Sequence, residues 1–132
     1  MKGYLLDSSI CIALFRGNRD VAAMLNKVGC DQCFISPIVM AELLYGAYRS
    51  DHVDENLKQT YDFANKVHVL PFEDCLETFA RERARLWKAG KRIEDFDLLI
   101  GRAAKAAGLV MVTHNVDHFA HIDGIEIEDW VQ

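Results

Sequence analysis

The stretch Leu109-Val-Met-Val-Thr113 constrains this chain more than any other. An uninterrupted apolar run of strand length, without the alternation of a half-solvated strand, is the pattern of a parallel strand covered on both faces. Parallel strands need long crossovers, usually helices, so this run commits its neighbours to an α/β plan. The N-terminus agrees. Lys2-Gly-Tyr-Leu-Leu-Asp7 is a short apolar strand that ends on a carboxylate, with Ser8 or Ser9 placed to cap a helix over Ile10–Phe15. In open sheets ligands sit at the carboxyl ends of strands, so Asp7 is a candidate site residue; helix capping is the structural alternative.

Between these strands the periodicity alternates. Val21, Met24, Leu25 and Val28 lie at helical spacing, Cys33–Ile35 reads as a strand, and Ser36-Pro37 opens a helix running to about Tyr48. A helix from Val53 to about Lys66 precedes a strand at Val67–Leu70, closed by Pro71. Glu73–Lys88 is expected to be the longest helix, burying Leu76, Phe79, Ala80, Leu86 and Trp87. A further helix spans Phe96–Ala107, and Ile125–Glu128 forms a last strand. The expected fold is a three-layer α/β/α sandwich with a mainly parallel central sheet and right-handed crossovers. The 132 residues contain no repeat or linker, so a single domain over 1–132 is expected.

No stretch approaches 18 apolar residues and no signal-peptide pattern opens the chain, which makes a cytoplasmic location the expectation. Cys11, Cys30, Cys33 and Cys75 sit in or beside apolar segments and read as buried thiols. The Cys30-Asp-Gln-Cys33 spacing suits a redox or zinc motif, but Cys33 leads into a strand and no second close pair completes a zinc site. A net charge of −5 argues against bulk attraction to nucleic acid, leaving room for local basic patches.

Several carboxylates stand in unexpected places. Glu42 is the only charged residue between Phe34 and Tyr48, an expensive position unless a metal, a cation or hydrogen bonds compensate it; a solvent-facing Glu is the alternative. Asp97 sits at a helix start against Leu98-Leu-Ile100, on a face continued by Ile100, Gly101 and Ala104, whose small residues allow close packing; capping by Asp95 or Asp97 is the alternative. Past the buried strand, Thr113-His114-Asn115-Val116-Asp117-His118 repeats the geometry of Asp7, with Asn115 two residues beyond the strand. The spacing His114, His118, His121 would also suit zinc.

Leu-Leu-Asp7-Ser-Ser-Ile, Ser36-Pro-Ile-Val-Met-Ala-Glu42-Leu-Leu-Tyr-Gly46, Phe96-Asp97-Leu-Leu-Ile-Gly-Arg-Ala-Ala104 and Val112-Thr-His-Asn115, with Phe119 and Glu128-Asp-Trp130, resemble the PIN-domain family, and more narrowly VapC-type ribonuclease toxins of toxin–antitoxin pairs. The resemblance covers almost the whole chain. It implies that Asp7, Glu42 and Asp97 bind metal, with Asn115 completing the catalytic site. Two departures stand out. Relatives commonly read Asp-Thr-Asn where this chain has Asp7-Ser8-Ser9, so the contact usually made by an Asn amide comes from Ser9 or is absent; and the fourth position, Asp in many PIN domains, holds Asn115, as in some VapC-type members, a departure that bears on a second metal, with Asp117 and Asp95 as candidate substitutes.

Clustered oxygen donors suit Mg²⁺ or Mn²⁺. The expected reaction is metal-dependent endonucleolytic hydrolysis of RNA, tRNA being one candidate, with Ser8, Ser9, Thr113 and Asn115 positioning water or metal. Arg81, Arg85, Lys88 and Arg92 form one helical stripe able to grip phosphates, with Arg83 and Lys91 nearby; a solvated helix face accounts for the same residues. Arg102 is a further phosphate contact or a neutraliser of the acids. The resemblance implies a small VapB-like antitoxin as partner, and a homodimer.

Rival readings fit less well. A phospho-accepting receiver domain wants an Asp where Val67–Leu70 ends in Pro71, and a haloacid-dehalogenase-type phosphatase wants an Asp where Ser9 stands. A catalytically silent PIN-like module that binds protein or RNA is the alternative from another class.

Overall fold

The computed structural model describes residues 2–73, 76–91, 95–120 and 122–131, without the side chains of Thr78, Asp95 and Phe96. Cys75, Arg92 and His121 lie outside the described residues.

Strand β1 (Tyr4–Leu6) leads through Asp7 into helix α1 (Ser8–Phe15). Helix α2 (Arg19–Val28) starts on Asn18, whose side chain accepts from Val21 N at 3.0 Å, as short polar caps do for orphan helix donors. Strand β2 (Cys33–Ile35) is followed by helix α3 (Pro37–Tyr48), which Ser36 caps by accepting from Val39 N at 3.0 Å, with Pro37 in the first turn. Helix α4 (Val53–Lys66), strand β3 (His68–Val69) and helices α5 (Leu76–Lys88) and α6 (Asp95–Ala106) come next. Strand β4 (Val110–Val112), the single-turn helix α7 (Val116–Phe119) and strand β5 (Ile127–Glu128) complete the order.

The sheet runs β3-β2-β1-β4-β5, and every pairing is parallel. β1 is the middle strand, in register with Cys33 and Phe34 on one side and with Val110 to Val112 on the other. The chain first builds outward from β1 through β2 to β3 and then returns to β4 and β5. Right-handed crossovers therefore place the helices before β3 on one face and those after it on the other, giving the expected three-layer α/β/α sandwich. β4 is buried at all of its residues, as a doubly covered strand must be.

The core joins both layers through the sheet. Leu5 and Leu6 of β1, Ile35 of β2 and Met111 and Val112 of β4 pack with Ile10, Val39, Leu98, Ile100 and Phe119 from the helices. Gly101 shows why α6 needs a small residue. A Cβ there would run into Ile122 Cδ1 and lie 3.1 Å from Phe119 Cδ1, so glycine lets α7 and its following loop seat directly on α6.

Two sequence expectations for α5 fail: among the described elements it spans 13 residues against the 14 of α4, and its apolar stripe is largely unburied. Of the stripe assigned to α5, Leu86 is buried and Phe79 half-buried, whereas Ala80 is exposed and Leu76 and Trp87 are 53% and 75% exposed. Among the described elements α5 packs chiefly against α6, and a helix covering another helix has less to bury than one lying on a sheet.

Cys11 and Cys33 are buried, and burial raises both thiols, Cys33 to about 12. Cys33 Sγ donates to Gly29 O at 3.5 Å inside the strand, so Cys30-Asp-Gln-Cys33 is part of the packing, as the sequence indicated.

Candidate active site

The sheet reverses its direction of growth between β1 and β4, and in a parallel sheet that reversal opens a crevice at the carboxyl ends of the two strands. Asp7 ends one of them and Thr113 the other. Asp7 N donates to Val112 O at 2.9 Å, which continues the ladder one residue past β1 and fixes the Asp7 backbone against β4.

The Asp7 carboxylate is 4% exposed and fully engaged. Oδ1 accepts from Ser8 N at 2.8 Å, and Oδ2 accepts from Thr113 Oγ1 at 2.9 Å and from Ser9 Oγ at 3.3 Å. Asp7 is thus both the N-cap of α1 and the hub of a network spanning two strands, so the capping and site readings describe one residue. Ser9 Oγ also accepts from His114 N at 3.1 Å, and Thr113 Oγ1 accepts from Asn115 N at 2.9 Å. These two hydroxyls tie the β4 loop to the start of α1. Ser9 Oγ thereby links Asp7 to the loop that follows β4.

Glu42 joins from α3. Its Oε2 accepts from Ser8 Oγ at 3.1 Å. The residue faces solvent more than its apolar sequence surroundings suggest, because α3 turns only Val39, Leu43 and Ala47 fully inward. Its carboxyl nevertheless lies above the ordinary carboxylate range: burial raises it most, the charges of Asp7 and Asp97 raise it further, and the Ser8 hydrogen bond opposes them. The three acids therefore share one field, although they come from three separate segments.

Asp97, in the first turn of α6, is 22% exposed in its side chain and takes a contact of 3.1 Å from His118 Nδ1. His114 Nδ1 lies 3.0 Å from Asp129 Oδ2, just beyond β5. The two imidazoles are turned to different carboxylates and do not form a common zinc site. Among the described residues no three His, Cys, Asp or Glu side chains stand close enough together to enclose an ion. Like-charged oxygens repel, and each acid is turned to a donor of its own: Thr113 and the serines for Asp7, Ser8 for Glu42, His118 for Asp97.

Asn115 lies at the rim, at the N-cap position of α7 without a side-chain capping bond, and Asp117 is exposed two residues later. The basic residues of α5 make no hydrogen bond to this network among the described residues. Arg81 pairs with Glu77 at 2.7 Å, and Arg85 grips Glu82 through Nε at 3.0 Å and Nη2 at 2.5 Å. Glu82 is held below the usual carboxylate range first by its hydrogen bond to Arg85, against the opposing effect of burial, and further by the charges of Arg85, Arg102 and Lys105. Arg102 Nε is buried with no hydrogen-bond partner among the described residues. Lys88 is exposed. Sequence reasoning did not anticipate the Asp97–His118 and Asp129–His114 contacts; the signal for Asp129 was its position just past a strand, shared with Asp7.

Residues 4–125 match the family model of the PIN domain. The chain belongs to the PIN-domain family, in its VapC branch. It is 30% identical over 133 residues to Ribonuclease VapC2 of Haemophilus influenzae, covering 99% of this chain and 100% of that protein. It is 29% identical over 131 residues to the tRNA(fMet)-specific endonuclease VapC of Shigella flexneri, covering 98% and 99%. Among solved structures, DNA-bound VapBC from Salmonella typhimurium superposes with a TM-score of 0.90 at 31% identity, covering 98% of this chain and 99% of that one. VapBC2 from Rickettsia felis, bound to a DNA fragment from its promoter, gives 0.86 at 28% identity, covering 96% and 98%. PIN-domain nucleases generally depend on a divalent metal. The donors gathered here, carboxylates with serine and threonine hydroxyls and no soft ligand, fit a hard cation, and the charges crowding Glu42 are of the sign that a cation relieves.

Proposed function

We propose that this VapC-type chain is a metal-dependent endoribonuclease, the toxin of a toxin–antitoxin pair, which hydrolyses RNA phosphodiesters with Mg²⁺ or Mn²⁺ held by Asp7, Glu42 and Asp97. The observation that carries the reading is the meeting of Asp7 and Glu42 on Ser8 at the switch point of the sheet, where the Glu42 carboxyl is raised first by burial and then by the charges of Asp7 and Asp97. The names of its relatives support the substrate class, and the named VapC of Shigella flexneri makes tRNA the first RNA to try.

A bound dication would supply Lewis acidity at the phosphodiester and a lowered pKa for an attacking water. The chain's own part is positioning. Three donors on Asp7 fix the direction of its oxygens and leave little rotational freedom to lose. Ser8 links the two acids, donating its N–H to Asp7 and its hydroxyl to Glu42. Thr113 orients Asp7 from below while accepting from the Asn115 backbone, which sets the Asn115 side chain at the rim as a neutral water-orienting group. A VapB-like antitoxin as partner, a homodimer and cytoplasmic action belong to the same proposal, supported by the likeness to VapBC complexes.

The test incubates purified protein with total RNA and Mg²⁺ or Mn²⁺, beside Asp7→Asn, Asp97→Asn and a chelated control. Cleavage by the wild type alone, with both variants slowed at least about 100-fold, is expected; losing a supporting residue alone costs up to about that much. Equal cleavage by all three proteins would remove the mechanism. Absence of cleavage by any would leave the silent binding module.

A further inference from the structure

Trp87 is the most exposed large hydrophobic side chain among the described residues, at 75%, and it stands next to Leu86, at 3%. The end of α5 fixes this contrast. Gly90, at φ +72°, donates to Trp87 O at 3.1 Å, and Lys91 N donates to Leu86 O at 2.9 Å, the paired bonds of a Schellman turn. Turning the helix to bury the indole would pull Leu86 out of the core. The ring is therefore held outward on a stiff helix end.

Its surroundings are cationic. Arg81 and Arg85 are neutralised by glutamates of their own helix, but Lys88 and Lys91, adjacent to the indole and one turn beyond it, are exposed with no carboxylate partner among the described residues. The short connection between the two helices brings this end of α5 toward the start of α6. α5 and α6 pack together, and only six residues, 89–94, join Lys88 to Asp95, the arrangement of an antiparallel helical hairpin. The last turn of α5 then lies abreast of the first turn of α6, which carries Asp97.

We infer that Trp87, Lys88 and Lys91 form a platform for one unpaired nucleotide of the RNA substrate, the indole stacking on the base and the two ammonium groups holding the flanking phosphates. The inference rests on the ribonuclease reading and adds a selection for single-stranded segments, because bases within a duplex have no free face to offer. Lysine is depleted in the cores of protein–protein interfaces, and the nearest other exposed large apolar residue on α5 is Leu76, three turns away; both favour nucleic acid over a protein at this spot.

The test uses the full chain in chelator, where no cleavage occurs, titrated with a single-stranded ten-nucleotide oligouridylate and with a blunt RNA duplex of the same length. Trp130 is 3% exposed, so quenching of tryptophan emission by the single strand reports Trp87. Trp87→Ala should weaken single-strand binding about 5- to 100-fold, Trp87→Phe by under about 3-fold, and duplex binding should change less than about 2-fold. With Mg²⁺ or Mn²⁺ the alanine variant should raise KM at unchanged kcat, since stacking is equal in ground and transition states. Lys88→Ala with Lys91→Ala should lower the salt slope by about 1.4. Thermal melts check folding, and Trp87→Phe with the lysine pair carries the test if the alanine variant melts early. Unchanged RNA affinity in Trp87→Ala, while the wild type still cleaves and Asp97→Asn does not, overturns the platform alone. Weakened binding of a co-expressed protein partner with RNA affinity intact makes the patch a protein surface and also overturns it. A wild type that neither binds nor cleaves RNA defeats the ribonuclease reading, and the platform with it.

Discussion

α5 and α6 are neighbours in one helical hairpin, yet they are held in place by different means. α6 buries Leu98, Ile100, Ala103 and Ala104 and lets Gly101 accept the α7 turn, whereas α5 buries only Leu86 fully among its described side chains. The reason is layering. α6 lies against the sheet and must match it atom for atom; α5 covers α6 and can leave apolar side chains in solvent. Precision at the acids and adaptability at the substrate surface are thus divided between two adjoining helices, Asp97 on the tightly packed one and Trp87 on the loosely packed one.

The largest expected effect tests that division directly. Leu98→Ala should cost about 2–5 kcal/mol by urea denaturation, while Leu76→Ala should stay within about 0.5 kcal/mol. Equal costs would mean that α5 is as deeply packed as α6. Next comes the tie that holds the acid hub. Thr113→Val keeps the volume but leaves buried Asp7 one donor short, for an expected loss of about 1.5–3 kcal/mol in the metal-free protein and weaker Mn²⁺ binding by calorimetry. A neutral result on both counts would show that Thr113 is packing only.

Two glycines sharpen the comparison with opposite signs. Gly101→Ala should destabilise by about 1–3 kcal/mol because its methyl meets Ile122 and Phe119. Gly46→Ala, in the interior of α3 with open space around the added atom, should stabilise by about 0.5–1 kcal/mol. Thermal melts of the pair decide it, and the same sign in both would contradict the packing described.

The smallest effect concerns Glu42. Its folded carboxyl is raised above its ordinary value, so the unfolded chain gives up that proton first as pH rises, and ionisation costs the folded state. In the metal-free protein Glu42→Gln should therefore be the more stable form at neutral pH, by no more than about 0.5 kcal/mol because the group is largely solvated. The advantage should shrink as pH falls through the raised folded value toward the ordinary one of 4.5 and vanish below it. A gap that widens on acidification would reverse the assigned cause.

The sequence by itself determined the order of the strands and of every helix but the single-turn α7, often to the residue: Cys33–Ile35, the Ser36 cap with Pro37, and the alanine-rich helix stopped near Gly108 all follow from local chemistry. It also singled out Asp7, Glu42 and Asp97, because a carboxylate at a strand tip or inside an apolar helix violates the pattern around it. Tertiary structure alone decided the rest. That Asp7 takes a donor from Thr113, 106 residues away, depends on β1 and β4 lying side by side. That Trp87 faces water depends on which layer α5 occupies. Periodicity records that a residue has an apolar side; only the assembled layers determine whether anything lies there to cover it.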